Sequence, residues 1–342
     1  MSTEQLPPEQ AADTLRAAWD DMIASLQQAR DVIDQPQYAP PEASDRVLAE
    51  GYRYLSGFMH HAVERAFHED PARPAFRNAL SVYNKATIDN ADAIYFYAPI
   101  DGRKRYKVTA TLPDCRHWQG QARAEQGPLA PQYLIFEVTG GPIAGDTGDL
   151  RELMPGSRTG FGALDISQLQ IGDDNTLEIL LAPERPEGYT GNFFATRKPP
   201  SSRAPENGDR YATYISGRQL FYDWAREVPV PLTITALDDE GLPPAPLDSE
   251  HAAVKLRRMG EIVSGQMRFW QAFYDRLLNC HQRHDDGGRY YMPVNAYNQP
   301  NAASGDTGGG MSTNIYAGGM FDLVEDEALY IEARYHGEPV YT

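Results

Sequence analysis

The run NTLEILLAPERPEGYTGNFFATRKPPSSRAPENGDRYATYISGRQLFYDWAREVPVPLTITAL, Asn175 to Leu237, decides the fold class. It opens on an apolar strand-like segment, Leu177 to Leu181, and passes into a loop rich in Pro and Gly. A second strand pattern, Tyr211 to Phe221, is followed by Asp223-Trp224 and a third, Val230 to Ala236. Strands at this spacing, with turn residues between them, point to a β-sandwich or jelly roll.

Towards the N-terminus the pattern becomes helical. Leu15, Ala18, Trp19, Met22, Ile23 and Leu26 form one apolar stripe in a helix that begins near Ala11 and ends before Asp34 to Pro41. A second helix is expected from about Ala43 to Glu69. Val47, Leu48, Tyr52, Leu55, Phe58, Met59, Ala62, Val63 and Ala66 would be its buried face, with Pro71 and Pro74 beyond it. From Ser81 the pattern is that of strands. Asp89-Asn90-Ala91-Asp92 reads as a turn before the aromatic strand Ile94 to Tyr97. Asp101-Gly102 is a hairpin signal ahead of a strand at Arg105 to Thr111, and a further strand is expected at Tyr133 to Thr139. Helical period returns from Ser249 to Cys280, with Asp248-Ser249 as its cap and Gly287-Gly288 beyond its end. The Gly- and Asn-rich stretch Asn295 to Thr313 is too long for a plain connection. Two strand-like runs, Ile315 to Leu323 and Ala328 to Tyr335, close the chain. The reading is therefore α+β: an N-terminal helical region over 1–80, then a β-sandwich or jelly-roll-like domain over 81–342 carrying a helical insertion at about 249–282.

Composition narrows the function. Lys and Arg total 31 against 48 Asp and Glu, a formal charge of -17 over 342 residues. That field repels phosphate backbones and anionic surfaces, so neither nucleic acid nor membrane is an expected partner. The polar start MSTEQLPPEQ has no secretory pattern, and no apolar run is long enough to span a membrane. The two cysteines, Cys115 and Cys280, form no CxxC pair. A soluble cytoplasmic protein is expected.

Five blocks carry a family resemblance: Ala49 to Phe58, Asp89 to Val108, Asn175 to Phe193, Arg218 to Ile234 and Asn314 to Tyr335. In this order the chain resembles the bacterial family named domain of unknown function 1214. The resemblance implies a β-rich, jelly-roll-like core with helices beside it, and it carries no settled activity. This chain has Asn192-Phe193 where the family shows Asn-Trp. The family also continues past the last strand, whereas this chain ends at Thr342. A final strand left open would associate with a second copy or lie under a loop, so self-association through the C-terminal edge strands is expected.

Several constellations can carry chemistry. Arg218 and Asp223 could hold an organic anion through the guanidinium fork, or simply lock a strand end. Asp89, Asn90, Asp92 and Tyr95 could bind a polar ligand, or form an Asx turn; their spacing is not that of a calcium loop. Glu327, in the acidic run Glu325 to Glu327, could share acid–base work with Asp223, or be a plain acidic turn. Tyr316 joins Tyr95 and Arg218 at expected strand ends beside Gly-rich loops. His60 with Glu64, and Cys280 with His281, His284 and Asp285, lack a metal-binding spacing, so no metal is expected. The GxSxG, GxxxxGK[ST] and GxGxxG patterns are missing, which disfavours a serine hydrolase, a nucleotide-driven enzyme and a Rossmann dehydrogenase. The expected role is binding of a small organic ligand in a cavity of the β-domain without a cofactor. A hydrolase or lyase would draw on Asp223 and Glu327, with Arg218, Tyr95, Asn90, Asp92 and Tyr316 around the ligand. The rival is a non-catalytic module for a glycan or protein partner.

Overall fold

A computed structural model describes residues 6–35, 44–87, 89–154, 157–200, 206, 208–280, 293–298 and 316–332. Three long helices form: α1 (Pro8–Asp31), α2 (Asp45–Val63) and α3 (Ser249–Cys280). Pro8 starts α1, where its missing N–H costs nothing. Ser44 Oγ caps α2 by accepting from Val47 N at 3.2 Å, and Asp248 Oδ1 caps α3 through His251 N at 2.8 Å. Helix α3 lies along both α1 and α2. Its Ile262, Val263, Met267, Phe269 and Trp270 close on Ala29, Leu55, Phe58 and Ala62 in one apolar core.

This helical core corrects the expected face of α2. Val47, Leu48, Tyr52, Met59 and Val63 are exposed, as is Trp19 of α1, whereas His61 is buried. The apolar surface of α2 is wider than the strip that α3 covers, so only the residues facing α3 and the 79–84 segment are enclosed.

The strands are β1 (Arg77–Asn78), β2 (Ala93–Pro99), β3 (Tyr106–Thr111), β4 (Tyr133–Gly140), β5 (Thr159–Asp165) and β6 (Thr176–Ala182). After them come β7 (Asn192–Ala195), β8 (Arg197–Lys198), β9 (Arg210–Tyr211), β10 (Tyr214–Leu220) and β11 (Thr233–Ala236). One sheet runs β1-β2-β10-β4-β5, all antiparallel. The other runs β11-β3-β6-β7, antiparallel except for β6 with β7, and β8-β9 form a small ribbon. Both large sheets feed a single core. Phe96, Leu134, Phe136 and Ile215 of the first meet Tyr106, Val108, Ile179, Leu181 and Phe194 of the second. The fold is thus α+β with mostly antiparallel sheets.

Two turn signals act differently from expectation. Asp101-Gly102 does not close a hairpin, because β2 and β3 lie in different sheets. Asp101 instead caps its own turn by accepting from Arg103 N at 3.0 Å, and Gly102 presses against the backbone of Ala212 and Thr196. Only glycine fits there, since a Cβ would stand 2.5 Å from Ala212 N. The single strand expected over Tyr211 to Phe221 is divided into β9 and β10.

The C-terminal strands are the clearest correction. Residues 316–332 form no strand; Met320 bridges Val294, and Tyr316 is also a bridge residue. Three main-chain bonds tie this stretch to residues 293–298, Asn295 N to Met320 O, Met320 N to Pro293 O and Asn298 N to Gly318 O, and side chains add to them. Asn295 Oδ1 accepts from Asp322 N and Asn295 Nδ2 donates to Asp322 O, while Asn298 Oδ1 accepts from Gly318 N. The described part of this segment therefore offers no edge strand for a second copy. Most of the Asn295 to Thr313 stretch, together with His281, His284, Asp285, Gly287-Gly288, Ile315 and residues 333–335 of the expected strands, lies outside the described residues.

Candidate functional site

Side-chain alternation creates the candidate site. On the first sheet Phe96, Ala98, Leu134, Phe136 and Ile215 point into the core. Their neighbours therefore stand on the other face. Cross-strand register places Arg218 between Tyr95 and Ile135, and Ser216 between Tyr97 and Glu137. The result is a half-buried polar face of tyrosines, a guanidinium and a carboxylate.

Arg218 is the cation of this face. Its guanidinium lies 4.9 Å from the centre of the Tyr95 ring, and its Nη1 donates to Tyr316 Oη at 3.4 Å. A ring face beneath a guanidinium stabilises its charge. Tyr95 is itself fixed, since its hydroxyl accepts from Asn90 N at 3.0 Å. Asn90 Oδ1 accepts from Asp92 N at 2.8 Å, the expected Asx turn. Asp92 Oδ1 then takes the indole N–H of Trp224 at 2.9 Å, and Trp224 stacks on Phe221 with ring centres 4.0 Å apart. Asn90, Asp92 and Tyr95 thus form one chain of contacts beside Arg218, in which Asn90 and Asp92 hold the backbone and an indole.

Asp89 differs from them. Its Oδ1 is buried and has no hydrogen-bond partner among the described residues. Burial raises its pKa, and the charges of Lys85 and Arg218 pull it back down. Asp89 also acts electrostatically on Tyr54 and Tyr274, whose hydroxyls both donate to Ala86 O, at 2.6 and 3.2 Å. Beside this strap a cleft of about 300 Å³ is lined by Arg53, Tyr54, Tyr83, Lys85, Gln271 and Tyr274 among others.

Asp223 and Glu327 stand apart from this arrangement. Asp223 Oδ1 accepts from Ala225 N at 3.0 Å, and its carbonyl receives Arg226 N and Glu227 N. It shapes the turn after β10, while the described partners of Arg218 are Tyr95 and Tyr316. Glu327 is exposed and accepts from Val324 N at 3.2 Å. Among the described residues no contact joins the two carboxylates, and no group of three or more His, Cys, Asp or Glu side chains is placed to hold a metal ion.

Two buried polar clusters were not singled out by sequence. In the first, α2 runs into a π-helical turn, Glu64–His68. Arg65 there pairs through both terminal nitrogens with Asp146 and through Nε with Glu69 at 3.3 Å. Glu69 Oε1 also accepts from Tyr97 Oη at 2.7 Å, and burial raises the Glu69 pKa. His61 is held nearby, with its Nδ1 3.3 Å from Asn84 Nδ2. In the second, the side chain of Glu227 is fully enclosed. Its Oε2 accepts from Gln132 N and Tyr222 N, and its Oε1 faces Arg123 at 2.9 Å. Burial also lowers the His117 pKa beside this cluster. Only a buried Arg or Glu signals such pairs, and sequence does not mark which Arg or Glu is buried.

Comparison with known structures shows a likeness at the level of the fold. The chain is similar to a crystal structure of an uncharacterised protein from Burkholderia cenocepacia, at 25% identity and a TM-score of 0.62. The match covers 86% of this chain and 66% of that protein, so the chain spans just under two thirds of its length. No family model matches the chain, and no curated protein matches it. Among the described residues no helix is long and apolar enough to cross a membrane.

Proposed function

We propose that this chain binds a small organic anion at Arg218, on the polar face of the first sheet, and that it belongs with the domain of unknown function 1214 proteins. The jelly-roll arrangement of the two sheets is part of this reading. The observation that carries it is Arg218 itself: a half-buried guanidinium stacked on Tyr95 and touched by Tyr316 in a protein of charge -17. A fork of this kind suits a carboxylate, and the tyrosines supply apolar walls with polar rims. The hydrolase or lyase extension gains no support from Asp223 and Glu327, one spent on a turn and the other exposed. Binding is therefore the function proposed.

The test is a thermal-shift screen against organic acids, phenols, steroids, sugars and metal ions, with wild type and Arg218→Met. Saturable stabilisation by acids is expected, about 2.7 kcal/mol at a hundredfold excess over Kd. It should be lost in the variant. A folded Arg218→Met protein that binds the same acids as tightly would sink the assignment. An assembly role is the second reading, favoured by the exposed Phe321, Val324, Tyr330 and Ile331 on the C-terminal segment. Light scattering in the same experiment decides it, since a stable oligomer without any acid-induced shift would transfer the function to association.

A further inference from the structure

We infer that the chain carries a second ligand site, for a small phosphate-bearing molecule, where Arg158, Lys198 and Arg210 converge on Thr159 and Gly160 at the edge of the first sheet. Strand β5 is the last of that sheet, and the β8-β9 ribbon lies against it. Lys198 and Arg210 are direct cross-strand partners in the ribbon, so their side chains share one face. Both reach β5: Lys198 Nζ donates to Gly160 O at 2.6 Å, and Arg210 Nη1 lies 3.5 Å from Thr159 Oγ1. Arg210 also donates to Pro199 O through Nε and Nη2, at 3.2 and 3.0 Å. Arg158 precedes Thr159 in the chain and donates through Nη2 to Tyr214 Oη. Every one of these acceptors is a neutral oxygen. Among the described residues none of the three cations forms an ion pair, and Arg158 Nε is buried without a hydrogen-bond partner. The neighbouring acids Asp209 and Glu184 pair with Arg197 instead.

A chain of charge -17 has carboxylates to spare, yet these three half-buried cations meet none of those described. Screening makes the ligand small. At 0.15 M ionic strength fields fade within about 8 Å, so an anion seated on the cluster feels these three charges and little of the acidic surface beyond. A polyanion would run past that distance into the net negative charge, which sets nucleic acid and anionic membranes aside. Three positive charges with donors from two elements suit a phosphate better than a carboxylate. A phosphate ester carries about -1.5 to -2 at pH 7 and three strong acceptor oxygens. There is room for it, since a Cβ on Gly160 would meet nothing within 4 Å. Thr159 Oγ1 keeps its own hydrogen for a ligand oxygen. The site is independent of the Arg218 reading: Tyr214, the partner of Arg158, lies four residues from Arg218 along β10, about 13 Å at the rise of a strand.

Calorimetric titration of the full chain with inorganic phosphate, glycerol phosphate and acetate in 0.15 M NaCl tests this. Both phosphates should bind saturably, and at least about tenfold tighter than acetate, the worth of one hydrogen bond to a charged group. Lys198→Gln and Arg210→Gln should each weaken phosphate binding about tenfold or more. Arg16→Gln, an equal loss of charge at an exposed position of α1, should change it less than about twofold. Gly160→Glu is a variant of another kind. It puts a carboxylate into the open space beside the cations and should abolish phosphate binding in a protein that still melts cooperatively. Phosphate that does not bind, acetate that binds as tightly, or binding that survives both Lys198→Gln and Gly160→Glu would overturn the site. Phosphatidylcholine vesicles containing phosphatidate distinguish the source: capture of the chain on them, with no response to either soluble phosphate, would overturn it as well.

Discussion

His61 shows how one residue ties pH to stability. It is buried at the end of α2, between Asn84 and the Tyr97 ring, and its pKa is lowered to about 4, by burial first and by the charge of Arg65 second. In the unfolded chain an imidazole titrates near 6.5. Between these values the unfolded state binds the proton and the folded state does not. The His61 contribution is therefore complete above about pH 6.5 and is lost as pH falls towards 4, by about 3 kcal/mol in all. Glu69 works the other way, because its raised carboxyl pKa favours the folded state as pH falls. Comparison with His61→Asn separates the two. Urea denaturation at pH 7 and pH 4.5 should show a smaller loss of stability in the variant than in wild type, and equal losses would refute the assignment. At this scale the site was half legible. Arg218 and Tyr95 follow from strand alternation, and Asp89 to Asp92 from their clustering. Asp223 was misleading, because an Asp just after a strand can as easily cap a turn as pair with an Arg, and only the backbone path chooses. Glu227 and His61 gave no signal, since burial of a polar residue depends on what packs over it.

The π-helical turn Glu64–His68 is the element that joins the helical core to the sheet. One extra residue in that turn re-aims the side chains that follow it. Here the turn carries Arg65, which binds Asp146 in the 141–149 loop and Glu69, itself bonded to Tyr97 of β2. The side chains of Arg65 and Asp146 are only 7% and 10% exposed, so each is the other's main charged partner, with Glu69 adding to Arg65 and Arg258 to Asp146. Arg65→Met alone should cost about 3 kcal/mol, because it takes the bidentate cation from the buried Asp146 carboxylate and leaves it only Arg258, 3.6 Å away, and Ile143 N. Arg65→Met with Asp146→Leu should cost clearly less than the sum of the two single changes, a coupling read from a double-mutant cycle in urea. Additive losses would mean that the pair does not join the layers. The same element shows why helix ends were legible only in part. Apolar period fixes α2 and its cap, but it does not register the change of hydrogen-bonding pitch over Glu64–His68. Periodicity also overstates burial, as Val47, Tyr52 and Met59 show, because an amphipathic stripe says which side is apolar and not how much of it is covered. The final segment failed for the opposite reason. Its alternation resembles a strand, yet its main-chain bonds to the 293–298 stretch are few and scattered, and the Asn295 and Asn298 side chains take Asp322 N, Asp322 O and Gly318 N.

For the molecule as a whole the dominant fact is charge. At -17 the folded chain concentrates negative groups that the unfolded chain can spread apart, so self-repulsion opposes folding. The buried pairs do not relieve this, because each cation in them meets at least one carboxylate. Screening decides how far the repulsion reaches: about 30 Å at 0.01 M ionic strength, which spans much of a domain, and about 8 Å at 0.15 M. Stability should therefore rise with salt over that range, opposite to what a fold held by surface ion pairs would do. The exposed pairs Arg16–Asp13 and Arg53–Glu50 weaken as salt is added, but such pairs contribute about 0–1 kcal/mol each at most. The sum of long-range repulsions outweighs them. A rise in Tm of about 2–4 °C between 0.01 and 0.15 M NaCl corresponds to roughly 1 kcal/mol for a domain of this order of size. The check is calorimetry in sodium chloride, with a sugar of equal osmolality as the control for solvent exclusion. A Tm that falls with salt would show that attractive pairs, and not net charge, set the electrostatic balance of this fold.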